Sequence, residues 1–334
     1  MKHFTDCLKL SFLIIGSIIG AGFISGREIV SFFYGQNAFF VSAILCGAFS
    51  VFISFILIVK DLENNVVYSL VKPLVLISNF VIMSGMLSGL DSLQEQIVSI
   101  DHIYPIFSLV AVILSNIILY RGVKGVEKVN SFLVPVMIAF MIAVTLPSVS
   151  FSQVGGDGIK PVKLISYCGL NVFMSAPLFN AAGKGKSVIK SFAAAALSAV
   201  VLCVLIYFAL SAVTAKGNSA LSSPVPTLVL AGDIKIIYYP FAICFIFGIF
   251  TTLLSSHYPL FSLVENERSK LFYRILLSVS TLGASRFGFY NIVSYAYPFI
   301  GLFGAVVTVV IAISTVIFPP KPRRRTLRPQ ERTE

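Results

Sequence analysis

Apolar runs of about twenty residues recur from end to end of the chain, and that length is what a helix needs to cross a bilayer. Of the 334 residues, 57% are hydrophobic and 12% charged. No water-soluble domain of this size has such a balance, so the solvent for most of the chain is lipid and the expected class is an all-α polytopic membrane protein. About ten segments can be read as spans: Leu8–Phe33, Ala38–Val59, Pro73–Ile97, Ile103–Tyr120, Val129–Leu146, Leu164–Ala182, Val188–Ala215, Ile236–Val264, Leu271–Gly283 and Asn291–Phe318. The ninth is short and rich in serine. A short helix over Val225–Ala231, after Pro224, is expected to lie on the membrane surface between spans seven and eight. Residues 1–318 then form one transmembrane domain, with repeat one near 8–146 and repeat two near 164–318. The first apolar run lacks a small-residue cleavage site and reads as a retained span, not a signal peptide.

The net charge of +11 invites a nucleic-acid reading, which the placement of the charges opposes. Lys and Arg gather on alternate loops, at Lys60 and Lys72, at Arg121, Lys124 and Lys128, at Lys184, Lys186 and Lys190, at Arg268, Lys270 and Arg274, and at both chain ends. The opposite set carries Lys160, Lys163, Lys216, Lys235 and Arg286. This positive-inside bias puts both termini in the cytoplasm and accounts for the basic balance without nucleic acid. The tail, 319–334, is rich in proline and arginine and is expected to be a disordered basic cytoplasmic segment. Cys7, Cys46, Cys168, Cys203 and Cys244 are scattered and mostly lie inside apolar segments, as small buried hydrophobes do. Gly183–Lys184–Gly185–Lys186–Ser187 ends like a phosphate-binding loop but lacks its leading glycine and its strand, so it reads as a cytoplasmic turn.

Span one is interrupted. Gly16, Gly20, Gly22 and Gly26 fall within it, followed by the charged pair Arg27–Glu28. Glycine weakens a helix by about 1 kcal/mol relative to alanine, and backbone opened in lipid must line a cavity or hold a ligand. A discontinuous helix 1 would offer the Gly20, Ala21 and Gly22 amides to an anionic group, and the carbonyls around Gly16–Ile19 to a cation. The same glycines also fit close helix packing of the small-xxx-small kind. In span six, Gly169, Pro177, Asn171 and Asn180 interrupt the apolar run and predict a discontinuous helix 6. Breaks five spans apart suggest a 5+5 inverted repeat.

Span eight carries Thr251, Thr252, Ser255 and Ser256 within little more than one turn. Such hydroxyls supply hard oxygens to an alkali cation without burying net charge, or they bond back to their own helix. Arg27, Glu28 and Asp91 are intramembrane charges, which pair or face water. They read as an outer gate, with Arg27 meeting Asp91 or Glu28, or as interfacial charges at helix ends. His257 reads as interfacial. No residues show the spacing of a metal cluster, a nucleophilic triad or a phosphate cradle, so an enzyme is not expected.

The stretch Gly16–Ile29, reading Gly-Ser-Ile-Ile-Gly-Ala-Gly-Phe-Ile-Ser-Gly-Arg-Glu-Ile, resembles the first span of the amino acid–polyamine–organocation superfamily, and in detail that of bacterial YkvI-type membrane proteins. Arg121–Asn130 followed by Pro135 resembles the span four–five junction of amino-acid permeases. The likeness covers all the spans in layout and rests on these two motifs. It implies the LeuT-like five-plus-five fold of sodium-coupled amino-acid transporters in a bacterial cell membrane. By position it implies a sodium site at Gly16, Ile19, Gly248, Thr251 and Thr252, and a solute held near Gly20, Ala21, Gly22, Asn171 and Ser175. Arg27 departs from the neutral residue expected there. Proton-coupled relatives use a lysine from span five, and here that span has no charge past Lys128. The expected function is a secondary transporter of an amino acid or related small solute, with sodium as coupling ion and no other cofactor. A solute receptor on the same scaffold, or a channel or structural membrane protein, is the alternative.

Overall fold

A computed structural model describes residues 2–59, 62, 65–98, 105–150, 158–223, 225–232, 235–263, 267–287 and 296–317. The described chain is helical throughout: α1 Lys2–Ile18, α2 Ala21–Ile24, α3 Arg27–Phe33, α4 Ala38–Ile58, α5 Val66–Val98, α6 Ile106–Leu119, α7 Val123–Thr145, α8 Pro161–Gly183, α9 Val188–Lys216, α10 Asn218–Leu221, α11 Pro226–Gly232, α12 Lys235–Phe261, α13 Glu267–Ala284 and α14 Tyr297–Ile317. Seven of these, α4, α5, α7, α8, α9, α12 and α14, are long and apolar enough to cross a membrane, and α6 is a shorter apolar helix. The expected spans two to eight match α4 to α9 and α12 to within a few residues, with α5 and α7 starting six or seven residues early. Pro224, Val264, residues 103–104, 291–295 and 318, and the tail 319–334 lie outside the described residues.

Polar side chains fix the packing. Ser11 on α1 donates to the Ala194 carbonyl of α9, and Ser198 of α9 donates back to Ser11. Asn130 on α7 donates to the Leu13 carbonyl of α1 at 3.2 Å. Gly16 faces the same contact, where a Cβ would press on Asn130 and Val134. At one end of the bundle Phe32 and Phe33 of α3 and Phe49 of α4 close edge-on around Tyr167 of α8, at ring separations of 5.2, 4.8 and 6.0 Å. Such offset aromatic pairs add about 0.5–1.5 kcal/mol each beyond area burial.

The first segment is broken. Gly20 is extended (φ −100°, ψ −170°) between α1 and α2. Its amide turns to the Ile18 carbonyl, two residues back, and the four-residue ladder stops there. A second bend follows at Gly26, whose φ of +74° suits glycine.

The sixth segment is not broken, contrary to expectation. α8 runs 23 residues without interruption through Gly169, Asn171 and Pro177. Its irregular residues serve packing. A Cβ on Gly169 would strike the Gly301 carbonyl and the Ala305 amide of α14, and one on Gly304 would meet Phe173. Gly169, Gly301 and Gly304 let two backbones touch, as small residues do between membrane helices. Asn171 gives its amide to the Tyr167 carbonyl of its own helix. Asn180 donates to the Ile56 and Val59 carbonyls and so caps the end of α4.

The loop helix expected over Val225–Ala231 is present as α11, and one side of it packs into the bundle: Thr227, Leu230 and Ala231 are buried. The Thr227 amide donates to the Ser25 carbonyl at 3.0 Å and its hydroxyl to the Ile24 carbonyl at 2.5 Å. These bonds satisfy carbonyls released at the end of α2.

Candidate solute and ion site

The break in the first segment opens onto a cavity of about 40 Å³ bounded by α1–α3, α5, α8, α12 and the start of α14. Its lining includes Ser17, Gly20, Gly22, Glu28, Asn79, Met86, Asn171, Met174, Ser175, Thr252 and Tyr297. By the measure in which one water needs about 10–15 Å³, about three waters fit. A solute of amino-acid size enters only when the helices move apart.

Glycine is required on the broken side. A Cβ on Gly20 would collide with the Thr252 hydroxyl, and one on Gly22 with the Glu28 carboxylate. A side chain at either position fills the cavity. Of the expected solute residues, Gly20, Gly22, Asn171 and Ser175 line it, and Ala21 is buried outside the lining. Asn171 and Ser175 reach the cavity from a continuous helix, so α8 contributes side chains where opened backbone was expected.

Beside the cavity, α12 backs onto the break. The Thr251 hydroxyl oxygen lies 3.1 Å from the Gly248 carbonyl oxygen and 3.4 Å from that of Ile19. Two oxygens at right angles around a cation with bonds of about 2.3–2.6 Å stand roughly 3.3–3.7 Å apart; the Thr251–Ile19 pair falls in that range, and the Thr251–Gly248 pair is shorter, at the length of a hydrogen bond. Ile19, Gly248 and Thr251 therefore come together as expected. Thr252 adjoins them, half-buried at the cavity wall, its hydroxyl oxygen shut from solvent with no hydrogen-bond partner. Gly16 sits one turn earlier, against α7. Ser255 and Ser256 follow the plainer reading and bond back to the Thr251 and Thr252 carbonyls at 2.9 Å, with Ser255 also meeting Ser17.

The expected gate residues separate. Glu28 lines the cavity; Arg27 and Asp91 do not. Arg27 donates to the Leu221 carbonyl of α10 at 3.1 Å, tying the broken helix to the α10–α11 loop. Asp91 accepts from Ser108, which links α5 to α6. Tyr167 and Asn171 stand against the Glu28 carboxyl, yet Glu28 Oε1 and the Tyr167 hydroxyl complete no hydrogen bond. His257, expected at an interface, is fully buried, with Nδ1 2.9 Å from the Ser115 hydroxyl.

Asn79 and Tyr297 were not singled out from the sequence. Asn79 had a signal, being a lone amide in the middle of an apolar span. Tyr297 had none, because a tyrosine near the start of a span is ordinary.

Comparison with known proteins places this architecture. No family model matches the chain. It is similar to the uncharacterized membrane protein YkvI of Bacillus subtilis (strain 168), 27% identical over 353 residues and covering 96% of this chain and 97% of that one. The crystal structure of MhsT in complex with L-phenylalanine superposes with a TM-score of 0.66 at 15% identity, over 91% of this chain and 88% of that one. This chain has that fold. A manganese transporter of Eremococcus coleocola aligns at a TM-score of 0.49 and 14% identity, over 92% of this chain and 78% of that one.

Proposed function

We propose that this chain is a secondary active transporter in a bacterial cell membrane, moving an amino acid or related small solute by alternating access with sodium as the coupling ion. The observation that carries the reading is the broken first segment. Its opened backbone meets a small cavity lined in part by Glu28, Asn79, Asn171 and Thr252 on one side and the Ile19–Gly248–Thr251 oxygens on the other. Unsatisfied backbone at membrane depth is tolerated where it lines a cavity or holds a ligand. The fold shared with MhsT, whose structure contains L-phenylalanine, supports a small-molecule cargo. The likeness to YkvI and the motif at Gly16–Ile29 support the superfamily, and with it the ten-span five-plus-five plan and cytoplasmic termini.

In this reading the cavity is shut at the α11 side by the Thr227 bonds to Ile24 and Ser25 and by the Arg27 bond to Leu221. Loading from that side requires these contacts to open together. Sodium at Thr251 binds α1 to α12 and so biases the equilibrium between open and closed forms, as far as its affinities for the two differ.

Uptake of radiolabelled amino acids into proteoliposomes, with an inward gradient of sodium or of choline, tests the proposal. Sodium-stimulated accumulation is expected. Saturable binding with no accumulation would make the protein a receptor, and neither would make it structural.

A further inference from the structure

A second, larger hollow lies on the flank of the bundle, where α6, α7 and α12 meet the far end of α5. Its volume is about 850 Å³, against about 40 Å³ for the central cavity, and the two share no lining residue. Phe247 and Phe250 of α12 form part of its wall. Ile106, Val110 and Leu114 fall four residues apart and so make one stripe along α6, which faces Phe132 of α7 across the hollow. These four are 47, 49, 45 and 72% exposed, so no described part of the chain covers the groove. The groove is not apolar along its whole length. Arg121, in the turn that joins α6 to α7, and Lys128, in the second turn of α7, line it too. No acidic side chain is among the described residues of its wall. Because α6 and α7 run back from one short turn, both cations sit at one end and the apolar stripe leads away from them. Ile106 lies about 22 Å along the helix from Arg121, at 1.5 Å per residue. One leaflet of hydrocarbon is about 15 Å deep, so the stripe is long enough for an acyl chain. An amphipathic helix is polar along one side; this groove is charged at one end only, as the complement of a lipid is.

We propose that the groove between α6, α7 and α12 binds an anionic phospholipid, with the phosphodiester at Arg121 and Lys128 and an acyl chain along the Ile106–Leu114 stripe. A guanidinium is a planar fork matched to phosphate oxygens, and the lysine adds a point charge beside it. A headgroup with its own ammonium brings a third cation to this end of the groove; one whose only charge is the phosphodiester does not. The groove therefore selects lipids of net negative charge. In the proposed orientation the turn at Arg121 faces the cytoplasmic leaflet, where basic pockets between spans meet anionic headgroups, and each such cation is worth about fivefold in affinity.

Native mass spectrometry of the purified full-length protein, which counts bound lipid, tests this. Protein stripped of lipid in detergent is titrated with phosphatidylglycerol and with phosphatidylcholine of the same acyl chains; palmitate and inorganic phosphate then serve as competitors. Phosphatidylglycerol is expected to bind at least 10-fold more tightly than phosphatidylcholine, on the scale set by two cations, and neither competitor should displace it at equal concentration. Arg121→Gln with Lys128→Gln should weaken it at least 10-fold. Val110→Trp, which fills the groove from an exposed position, should weaken both phospholipids. Lys184→Gln with Lys186→Gln removes the same charge from a basic turn outside the groove and should change nothing. Equal binding of the two phospholipids overturns the assignment, and this comparison needs no variant, so it decides the matter even if a substitution disturbs folding. An equal loss in the Lys184 and Lys186 variant would mean surface charge alone, and unchanged binding in Val110→Trp would put the lipid elsewhere; both overturn it. So do displacement by inorganic phosphate, which would make the site one for a free anion, displacement by palmitate, which would give it to a fatty acid, and a dimer that Val110→Trp breaks, which would give the groove to a second copy of the chain.

Discussion

Replacing Thr251 separates two roles for one hydroxyl. Its oxygen stands 3.1 Å from the Gly248 carbonyl and 3.4 Å from the Ile19 carbonyl. A single O–H satisfies only one of them at a time. If the group is no more than a link between α1 and α12, its loss costs about 0.6 kcal/mol, with an upper value of about 1.7, as for other polar contacts between membrane helices. That cost would not depend on the cation in the buffer. If the three oxygens share sodium, the cation stabilises the folded state by about 2.7 kcal/mol when its concentration is 100 times its Kd. A tenfold loss of affinity removes about 1.4 kcal/mol of this. The experiment is thermal unfolding of detergent-solubilised protein in sodium chloride and in choline chloride, for the natural chain, Thr251→Val and Thr251→Ala. Valine keeps the volume and drops the hydroxyl. The natural chain is expected to gain on the order of 5 °C in sodium. Both variants should lose at least half of that gain while falling by only about 1–3 °C in choline. An equal sodium shift in all three proteins, or no shift in the natural one, would refute the ion reading and leave Thr251 as a structural contact.

Two further substitutions test the geometry around the break and around α8. Gly20→Ala should abolish uptake, because its Cβ meets the Thr252 hydroxyl; the double variant with Thr252→Ala should recover solute binding by thermal shift, and strict additivity of the two losses would show that the contact does not matter. Gly169→Val should cost at least the 1–3 kcal/mol typical of overpacking, since its side chain meets the backbone of Gly301 and Ala305, which cannot rotate away; unchanged yield and thermal stability would mean that α8 and α14 are not in close contact.

Much of this protein was legible in one dimension, for a reason peculiar to lipid. A segment that crosses the hydrocarbon must satisfy its own backbone and hide no charge, so length and apolar content name it without reference to neighbours. Spans two to eight were found in this way, as was the opening at Gly20, where glycines and a charged pair crowd a run that otherwise has every reason to stay helical. The oxygen-rich turn of α12 could also be read, although Ser255 and Ser256 turned out to bond to their own helix and only Thr251 reaches across to α1.

What the sequence could not decide was the use made of an irregular residue. Gly169 and Pro177 look like Gly20 in one dimension, yet Gly169 is a notch for α14 and Asn180 is a cap for α4. A glycine permits both an open backbone and a close neighbour, and the choice belongs to whichever helix arrives opposite it. Glu28 faces the cavity rather than Arg27 for a similar reason. The second bend at Gly26 aims the two side chains, and α10, brought over by a long stretch of chain, takes the arginine. Apolar pattern is a property of each segment and can be read from it; the site is a property of pairs of segments and exists only once they are packed.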